Sequence, residues 1–462
     1  MLAEISDFIW TNILVIALVF CGILFTVMTR FVQFRLFGEM FRLLGESAFH
    51  GKKGKKAKQI NSFQAFAVSL ASRVGTGNLA GVATAIFMGG PGAVFWMWLI
   101  ALLGSATAFI ESTLAQLYKR QSTDSFIGGP AYYILHGLHN KRMAQVFAVL
   151  LILSFGLSNN SIQSNSICDA MDEAFGLSSG FVGIILTCLS LLIVFGGIQR
   201  VAKVSSVIVP IMATGYFLLA MYVIIMNLDL IPGVFRIIVS DAFGFDQVAG
   251  GTIGSTIIYG IKRGLFSNEA GEGSAPNVAA TASVSHPVKQ GLIQALGVFT
   301  DTILVCSCTA FIILVSGMYT SKSYNGIRLT QNALEAQVGP IGTYFVAIAI
   351  LLFAFSSIIG NYYYGESNVR FLSKKKSVLT IYRILSGGVM VMFGALASLD
   401  LVWNLGDIFM ALLTGCNLIA IVLLAPKAIK LLKDYTSQKK EGKNPTFVIS
   451  SMPEIEKDVE CW

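Results

Sequence analysis

The stretch Gly75-Thr76-Gly77-Asn78-Leu79-Ala80-Gly81-Val82-Ala83 reads GTGNLAGVA, and Gly271-Glu272-Gly273-Ser274-Ala275-Pro276-Asn277-Val278-Ala279 reads GEGSAPNVA. Gly, Gly, Val and Ala recur at the same spacing in both, and each unit interrupts an apolar stretch long enough to cross a bilayer. Corresponding Gly/Pro interruptions in the two halves of a membrane protein point to a transporter's central binding site. Backbone freed from helical hydrogen bonds is costly in lipid, so a break at membrane depth lines a cavity or faces other protein. One unit alone reads equally well as a helix-packing surface, since Gly77 to Gly81 also spells GxxxG. Two of them, with polar residues inside, favour transport.

Composition fits this. A mean hydropathy of +0.71, with 55% hydrophobic and only 13% charged residues, excludes an ordinary soluble protein. Apolar runs of the length that spans a hydrocarbon core recur along the whole chain. Eleven are drawn, at about 8–30, 62–88, 92–118, 143–174, 180–197, 204–228, 252–282, 290–316, 341–371, 378–397 and 402–425. The first begins with acidic residues, Glu4 and Asp7, and is longer than a secretory signal core, so it reads as a retained helix. The net charge of +8 does not indicate nucleic acid, because Lys and Arg gather in alternate loops, the pattern that reports topology. Arg30, Arg35, Arg42, Lys52, Lys53, Lys55, Lys56 and Lys58 follow the first span. They place that loop in the cytoplasm of a plasma-membrane protein, the N-terminus outside and the C-terminus inside. Seven cysteines, most within apolar runs, suggest packing residues and no disulfide framework.

Setting the first span aside leaves ten, and the two Gly-rich units open the first and sixth of these. That is a 5+5 arrangement, and an odd number of spans per half inverts the second half. The expected fold is an all-α inverted-repeat bundle with two broken helices and one extra N-terminal helix. Its expected divisions are 1–60 for the extra helix and basic loop, 61–230 and 248–430 for the two repeats, and 431–462 for a cytoplasmic tail. Segments near 31–44, 232–244 and 329–338 look amphipathic and are expected to lie along the surface. The tail from about Asp434 is Lys-rich and polar and is expected to be disordered.

Unwinding of Ala71-Ser72-Arg73-Val74-Gly75-Thr76-Gly77-Asn78 would release carbonyls suited to a hard cation and amides suited to a carboxylate. Such a site would bind a zwitterion together with sodium. The pattern A-x-x-V-G-x-G-N goes further. With Ser62-Phe63-Gln64-Ala65, VGTGNLAGVATAI (Val74 to Ile86), Gln163-Ser164-Asn165-Ser166 and GLFSNEAGEGSAP (Gly264 to Pro276), the chain resembles the alanine or glycine:cation symporter family over nearly its whole length. The resemblance implies a LeuT-type fold and sodium-coupled uptake of a small neutral amino acid by alternating access. It also implies that Ala71 and Val74 give carbonyls, and Ser356 and Ser357 hydroxyls, to the sodium ion, although a helical serine often bonds its own backbone instead. No cofactor is called for beyond sodium as the coupling ion.

For the amino acid, the candidate residues are Thr76 and Gly77 in the first break, Phe266 and Ser267 at the second, Gln163 by family resemblance, and Asn361. Asn159 and Gln163 are spaced to share a helix face. Glu269 and Glu272 are carboxylates at bilayer depth, functional by default, with Arg73, Lys262 or Arg263 as expected partners for Glu269. Glu111, Asp301, Glu366 and Asp407 are read as interhelical contacts. Family members commonly read G-W-S-Y-Y-G-E where this chain has Gly360-Asn361-Tyr362-Tyr363-Tyr364-Gly365-Glu366. An amide in place of the indole leaves room for a larger substrate side chain such as that of glutamine, asparagine or serine. His136 and His139 have no metal-binding company, and HExxH, Walker and TVGYG motifs are absent, against an enzyme, an ATP-driven pump or a potassium-type channel. Proton coupling is the alternative to sodium, and a channel is a more distant one.

Overall fold

The computed structural model describes residues 2–49, 60–122, 125–244 and 253–462. The loop lysines 52, 53, 55, 56 and 58 lie outside the described residues. In chain order the main helices are α1 (Leu2–Met28), α2 (Phe37–Phe49), α3 (Ser62–Arg73), α4 (Gly77–Gly89), α5 (Ala93–Leu117), α6 (Pro130–Gly137), α7 (Lys141–Phe175), α8 (Ser179–Val194) and α9 (Gly197–Met226). They continue with α10 (Ile231–Ala242), α11 (Ile253–Asn268), α12 (Pro276–Ala279), α13 (Pro287–Ser316), α14 (Gly326–Val338), α15 (Ile341–Leu372), α16 (Lys376–Leu396) and α17 (Leu399–Lys440).

Among the described residues 8 helices are long and apolar enough to span a membrane. The other three expected spans have physical reasons for missing that criterion. Two are broken, as α3–α4 and α11–α12, and α8 is a short helix of 16 residues. The expected amphipathic segments form α2, α10 and α14. Local chemistry sets several starts: Asn61 caps α3 in a reciprocal pair with Gln64, and proline opens α6, α12 and α13, where its missing N–H costs nothing.

The packing follows the repeat. The broken helices pack with α5 and α13, the second members of each half, while α7 and α8 pack with α15 and α16, the third and fourth members. Corresponding helices of the two halves thus pair within each group, as the 5+5 fold requires. Several long helices carry a π-helical turn, including Gly77–Gly81 in α4, Ile152–Asn159 in α7 and Phe299–Cys306 in α13. Such turns often mark functional sites.

The tail departs from expectation. Helix α17 continues through Pro426 to Lys440, and the following segment is ordered. Phe447, Met452 and Ile455 are buried. Phe447 N donates to Ser285 O at 2.8 Å and Trp462 Nε1 to Gln116 O at 2.9 Å. The composition of this segment is polar, but its few apolar residues are spaced to anchor it across the face that carries the basic loops.

Candidate functional site

In the first break, Val74 leaves the helix at φ −77°, ψ 87°. The amides released downstream are taken by side chains: Gly75 N donates to Asn78 Oδ1 at 2.9 Å and Thr76 N to Gln163 Oε1 at 2.9 Å. Upstream carbonyls turn to α15. Ser357 Oγ lies 2.9 Å from Ala71 O and 3.5 Å from Val74 O, and Ser356 Oγ lies 3.3 Å from Ala71 O. Both hydroxyls also approach Phe353 O of their own helix. Two carbonyls and two hydroxyls from two elements therefore converge, the oxygen set a hard monovalent cation takes. Only glycine fits at position 75, where a Cβ would stand 2.2 Å from Ser357 Oγ and 2.7 Å from Gln163 Oε1.

The second break is built differently. Glu269, Gly271 and Gly273 all have positive φ, at 57°, 94° and 78°, a conformation glycine adopts freely and glutamate does not. A carboxylate straps this backbone. Glu111 accepts from Gly271 N at 3.3 Å and Gly273 N at 3.2 Å, and Asn417 Nδ2 bonds both Glu111 Oε2 and Gly271 O. Glu269 accepts from Ser72 Oγ at 2.8 Å and Ser274 Oγ at 2.6 Å. The cations expected to pair with it do not. Lys262 and Arg263 sit two turns back on α11 and face α17, where both bind Asp407 at 2.8 Å and 3.0 Å. Arg73 Nη1 bonds Gln294 O instead.

The two breaks meet. Gly77 packs against Phe266 and Ser267, with room for a Cβ only 3.0 Å from Ser267 Cα. Asp301, on the π-helical turn of α13, joins both. It accepts from Asn78 Nδ2 at 2.7 Å, Ser267 Oγ at 2.7 Å and Thr302 Oγ1 at 2.9 Å. Thr76 Oγ1 and Asn268 Nδ2 are buried beside this junction without a partner among the described residues. Asn361, one turn beyond Ser357 on α15, is 1% exposed and accepts from Ser72 Oγ. Of the polar patch on α7, only Gln163 reaches a break. Asn160, Ser164 and Asn165 bond α16 at Ser386, Val391 O, Gly394 O and Ala397 O.

On the face opposite the basic loops, the Phe266 ring lies 4.7 Å from Trp403, over which Arg263 stacks at 4.2 Å. Trp403 and Arg263 line a cavity of 340 Å³ that also takes in Asp7, Tyr259 and Asp407, with Phe266 beneath Trp403. On the basic face, a cleft of 650 Å³ is lined by Asn61, Ser62, Ser283, Lys289 and Asn444. None of the predicted site residues lines either cavity, and all of them are buried.

A family model, the sodium:alanine symporter family, matches residues 1–449. The chain belongs to that family. This sodium:alanine symporter family member is 50% identical to the probable sodium/glutamine symporter GlnT of Bacillus subtilis, over 99% of this chain and 94% of that one. It is 51% identical to the amino-acid carrier protein AlsT of the same organism, over 99% and 96%. In fold it is similar to MhsT, solved in complex with L-phenylalanine, with a TM-score of 0.57 at 13% identity over 88% of this chain and 93% of that one. Family membership makes the chain a multi-pass amino-acid symporter rather than an enzyme, with an amino acid and sodium as its cargo.

Several residues around the two breaks were not singled out by sequence. Trp403 carries no signal beyond being one of five tryptophans. Ser72 is hidden by the more conspicuous Arg73 beside it. Asp301 and Glu111 were legible as charges inside a span, which demand partners, but which partners they meet depends on the packing of α5 and α13.

Proposed function

We propose that this symporter couples sodium to inward transport of a small neutral amino acid, and that it accepts glutamine, asparagine or serine at least as well as alanine. The observation that carries the reading is the convergence of Ser356 and Ser357 hydroxyls on the carbonyls of Ala71 and Val74. That oxygen set would hold sodium and tie α15 to the first break. The amino acid would lie at the junction of the breaks, its backbone against Thr76, Gly77 and Gln163, with Phe266 and Ser267 covering it. The unpartnered Thr76 hydroxyl supports a polar ligand there, since buried donors without partners are costly. Asn361 would border the substrate side chain. In the membrane the N-terminus would be outside and the C-terminal tail in the cytoplasm.

A glutamine-type relative at half identity agrees with an amide at position 361. A hydrogen bond to a substrate's polar group discriminates more strongly than added room, because a substrate lacking the group leaves a buried amide unpaired. The test is competition of unlabelled amino acids against one labelled substrate in proteoliposomes, with and without a sodium gradient. Asn361→Trp is expected to lower uptake of glutamine about tenfold or more, the loss of one good hydrogen bond, and to spare alanine. Wild-type uptake confined to alanine and glycine, or an unchanged ranking in the variant, overturns the assignment of Asn361. Uptake indifferent to sodium overturns the coupling.

A further inference from the structure

The two broken helices are joined on the basic face as well as at the site. Ile60, just before α3, and Ala282, after α12, form a parallel bridge, and Ser283 N donates to Ile60 O at 3.0 Å. The chain entering the first broken helix is thereby tied to the chain leaving the second. Residues 280–286, between α12 and α13, form no helix, so neighbours must fix them. Gln116 Nε2, at the end of α5, donates to Ala279 O and, at 2.9 Å, to Ala282 O, and Lys119 Nζ approaches Ala282 O at 3.4 Å. Alternating access opens a site toward one face at a time. Opening toward the basic face has to part Ile60 from Ala282.

The segment that follows α17 grips this linker from two sides. Phe447 N donates to Ser285 O at 2.8 Å, Ser285 Oγ to Pro445 O at 3.0 Å, and Lys289 Nζ to Asn444 Oδ1 at 2.6 Å. Further along, Trp462 Nε1 donates to Gln116 O at 2.9 Å, and its ring lies 4.2 Å from Lys119 Nζ. Lys119 is 2% exposed and makes no salt bridge among the described residues. It is held by Gln116 Oε1, Ala282 O and the rings of Phe126 and Trp462. An aromatic face counts for more against a desolvated ammonium than at the surface. The segment is itself pinned to α17, since Gln438 Nε2 donates to Thr446 O at 2.9 Å and Thr446 N to Gln438 Oε1 at 3.0 Å. His286 closes the circuit. Its Nδ1 accepts from Val288 N at 3.2 Å, which leaves Nε2 to donate to Asp434 of α17 at 3.0 Å, and its ring packs on Phe447.

We propose that residues 444–462 are a latch on the basic-face gate. Docked as here, they hold the 280–286 linker against the start of α3 and keep that side of the site shut. Their release from Ser285 and Lys119 lets the linker and α3 part. The device governs access alone. It goes beyond the substrate and coupling ion proposed above, and its test needs neither.

Two reporters watch the two faces. Ser62, at the start of α3, is 7% exposed and lines the basic-face cleft, while Asn404 lines the opposite cavity. Ser62→Cys and Asn404→Cys are each made in the full-length protein and in a chain ending at Lys440, then placed in nanodiscs, where both faces meet the reagent. Modification by a water-soluble maleimide is followed by mass spectrometry of the peptide carrying the substitution, so that the native cysteines do not interfere. Without the segment, Ser62→Cys is expected to react about tenfold faster, the shift that losing a few polar contacts and one cation–ring contact allows, and Asn404→Cys no faster. Both reporters reacting faster would mean general loosening and overturns the latch. Ser62→Cys reacting no faster overturns it as well. In the full-length protein, Trp462→Ala is expected to give much of the same increase, and Trp462→Phe, which keeps a ring over Lys119, to give less. Should the shortened chain fail to fold, Trp462→Ala decides, and a Ser62→Cys rate unmoved by it overturns the proposal.

Discussion

The two breaks share a glycine spacing and almost nothing else. The first is stabilised by neutral side chains, Asn78 and Gln163, which take its amides and leave the carbonyls of Ala71 and Val74 facing serine hydroxyls. No residue from 71 to 78 has positive φ. The second bends through three positive-φ residues, and its amides are already taken by the carboxylate of Glu111. Inverted repeats therefore carry a common backbone pattern into two chemical settings. The first break keeps open oxygens, which suits a cation. The second is a strapped turn with acids around it, which holds its backbone in place.

The largest effect is expected where the strap is tightest. In Gly273→Val the new side chain would begin 2.7 Å from Pro130 Cγ and 2.9 Å from both Asn417 Cγ and Phe147 Cζ, at φ 78°. Strain and overpacking of this kind cost more than about 3 kcal/mol, so folded yield and uptake should both be lost. In Gly77→Val the nearest neighbours of the new Cβ are Ser267 and Phe266, at 3.0–3.3 Å. This variant should insert and fold yet fail to transport. Size-exclusion profiles beside uptake separate the two outcomes, and equal transport by both variants would make the breaks ordinary packing surfaces.

Next comes the strap itself. Glu111→Gln keeps the shape but puts an NH2 donor where one of the two oxygens accepts a glycine amide, and leaving that buried amide unpaired costs about 1–3 kcal/mol. The expected result is a lower thermal midpoint and slower uptake, with the half-saturating sodium concentration unmoved. A shift in sodium dependence larger than the loss of stability would show that the second break, not the first, holds the cation.

A smaller and sharper effect belongs to the first break. Ser357→Ala should raise half-saturating sodium about tenfold, the equivalent of roughly 1.4 kcal/mol, while alanine disturbs the helix little. Ser356→Ala should do less. Its hydroxyl is 3.3 Å from Ala71 O but 2.8 Å from Phe353 O of its own helix, so more of its bonding is local. The double variant should exceed either single change. Sodium dependence unaltered in a well-folded double variant removes the site.

Much of this was legible in the chain. Glycines spaced alike in two apolar runs mark breaks because few other residues permit them, and charge alternation orders the loops. The serine–carbonyl quartet was accessible only through family resemblance, since a serine pair in a helix says nothing about its partner across the bundle. Partner choice was the least legible part. Lys262 and Arg263 lie near Glu269 in sequence, yet the turn of α11 carries them to Asp407. The tail failed for another reason: its average polarity concealed Phe447, Met452, Ile455 and Trp462, and a few anchors suffice to order a segment lying on a large surface.

The smallest expected effect tests whether the division between site and scaffold runs through a single helix turn. Gln163 and Ser164 are adjacent, but Gln163 accepts from Thr76 N at 2.9 Å while Ser164 Oγ donates to Val391 O at 2.7 Å. Polar bonds between membrane helices are worth only about 0.6 kcal/mol on average, because the separated helices find other partners. Ser164→Ala should therefore lower the thermal midpoint slightly and leave the half-saturating concentrations of sodium and amino acid where they are. Gln163→Ala should instead raise the amino-acid value, since it uncovers the Thr76 amide at the break. The pair is measured side by side in one preparation. If Ser164→Ala moves substrate affinity as far as Gln163→Ala, then α7 and α16 shift together during binding. The break would then extend its influence into a helix pair that, by its hydrogen bonds, is only its support.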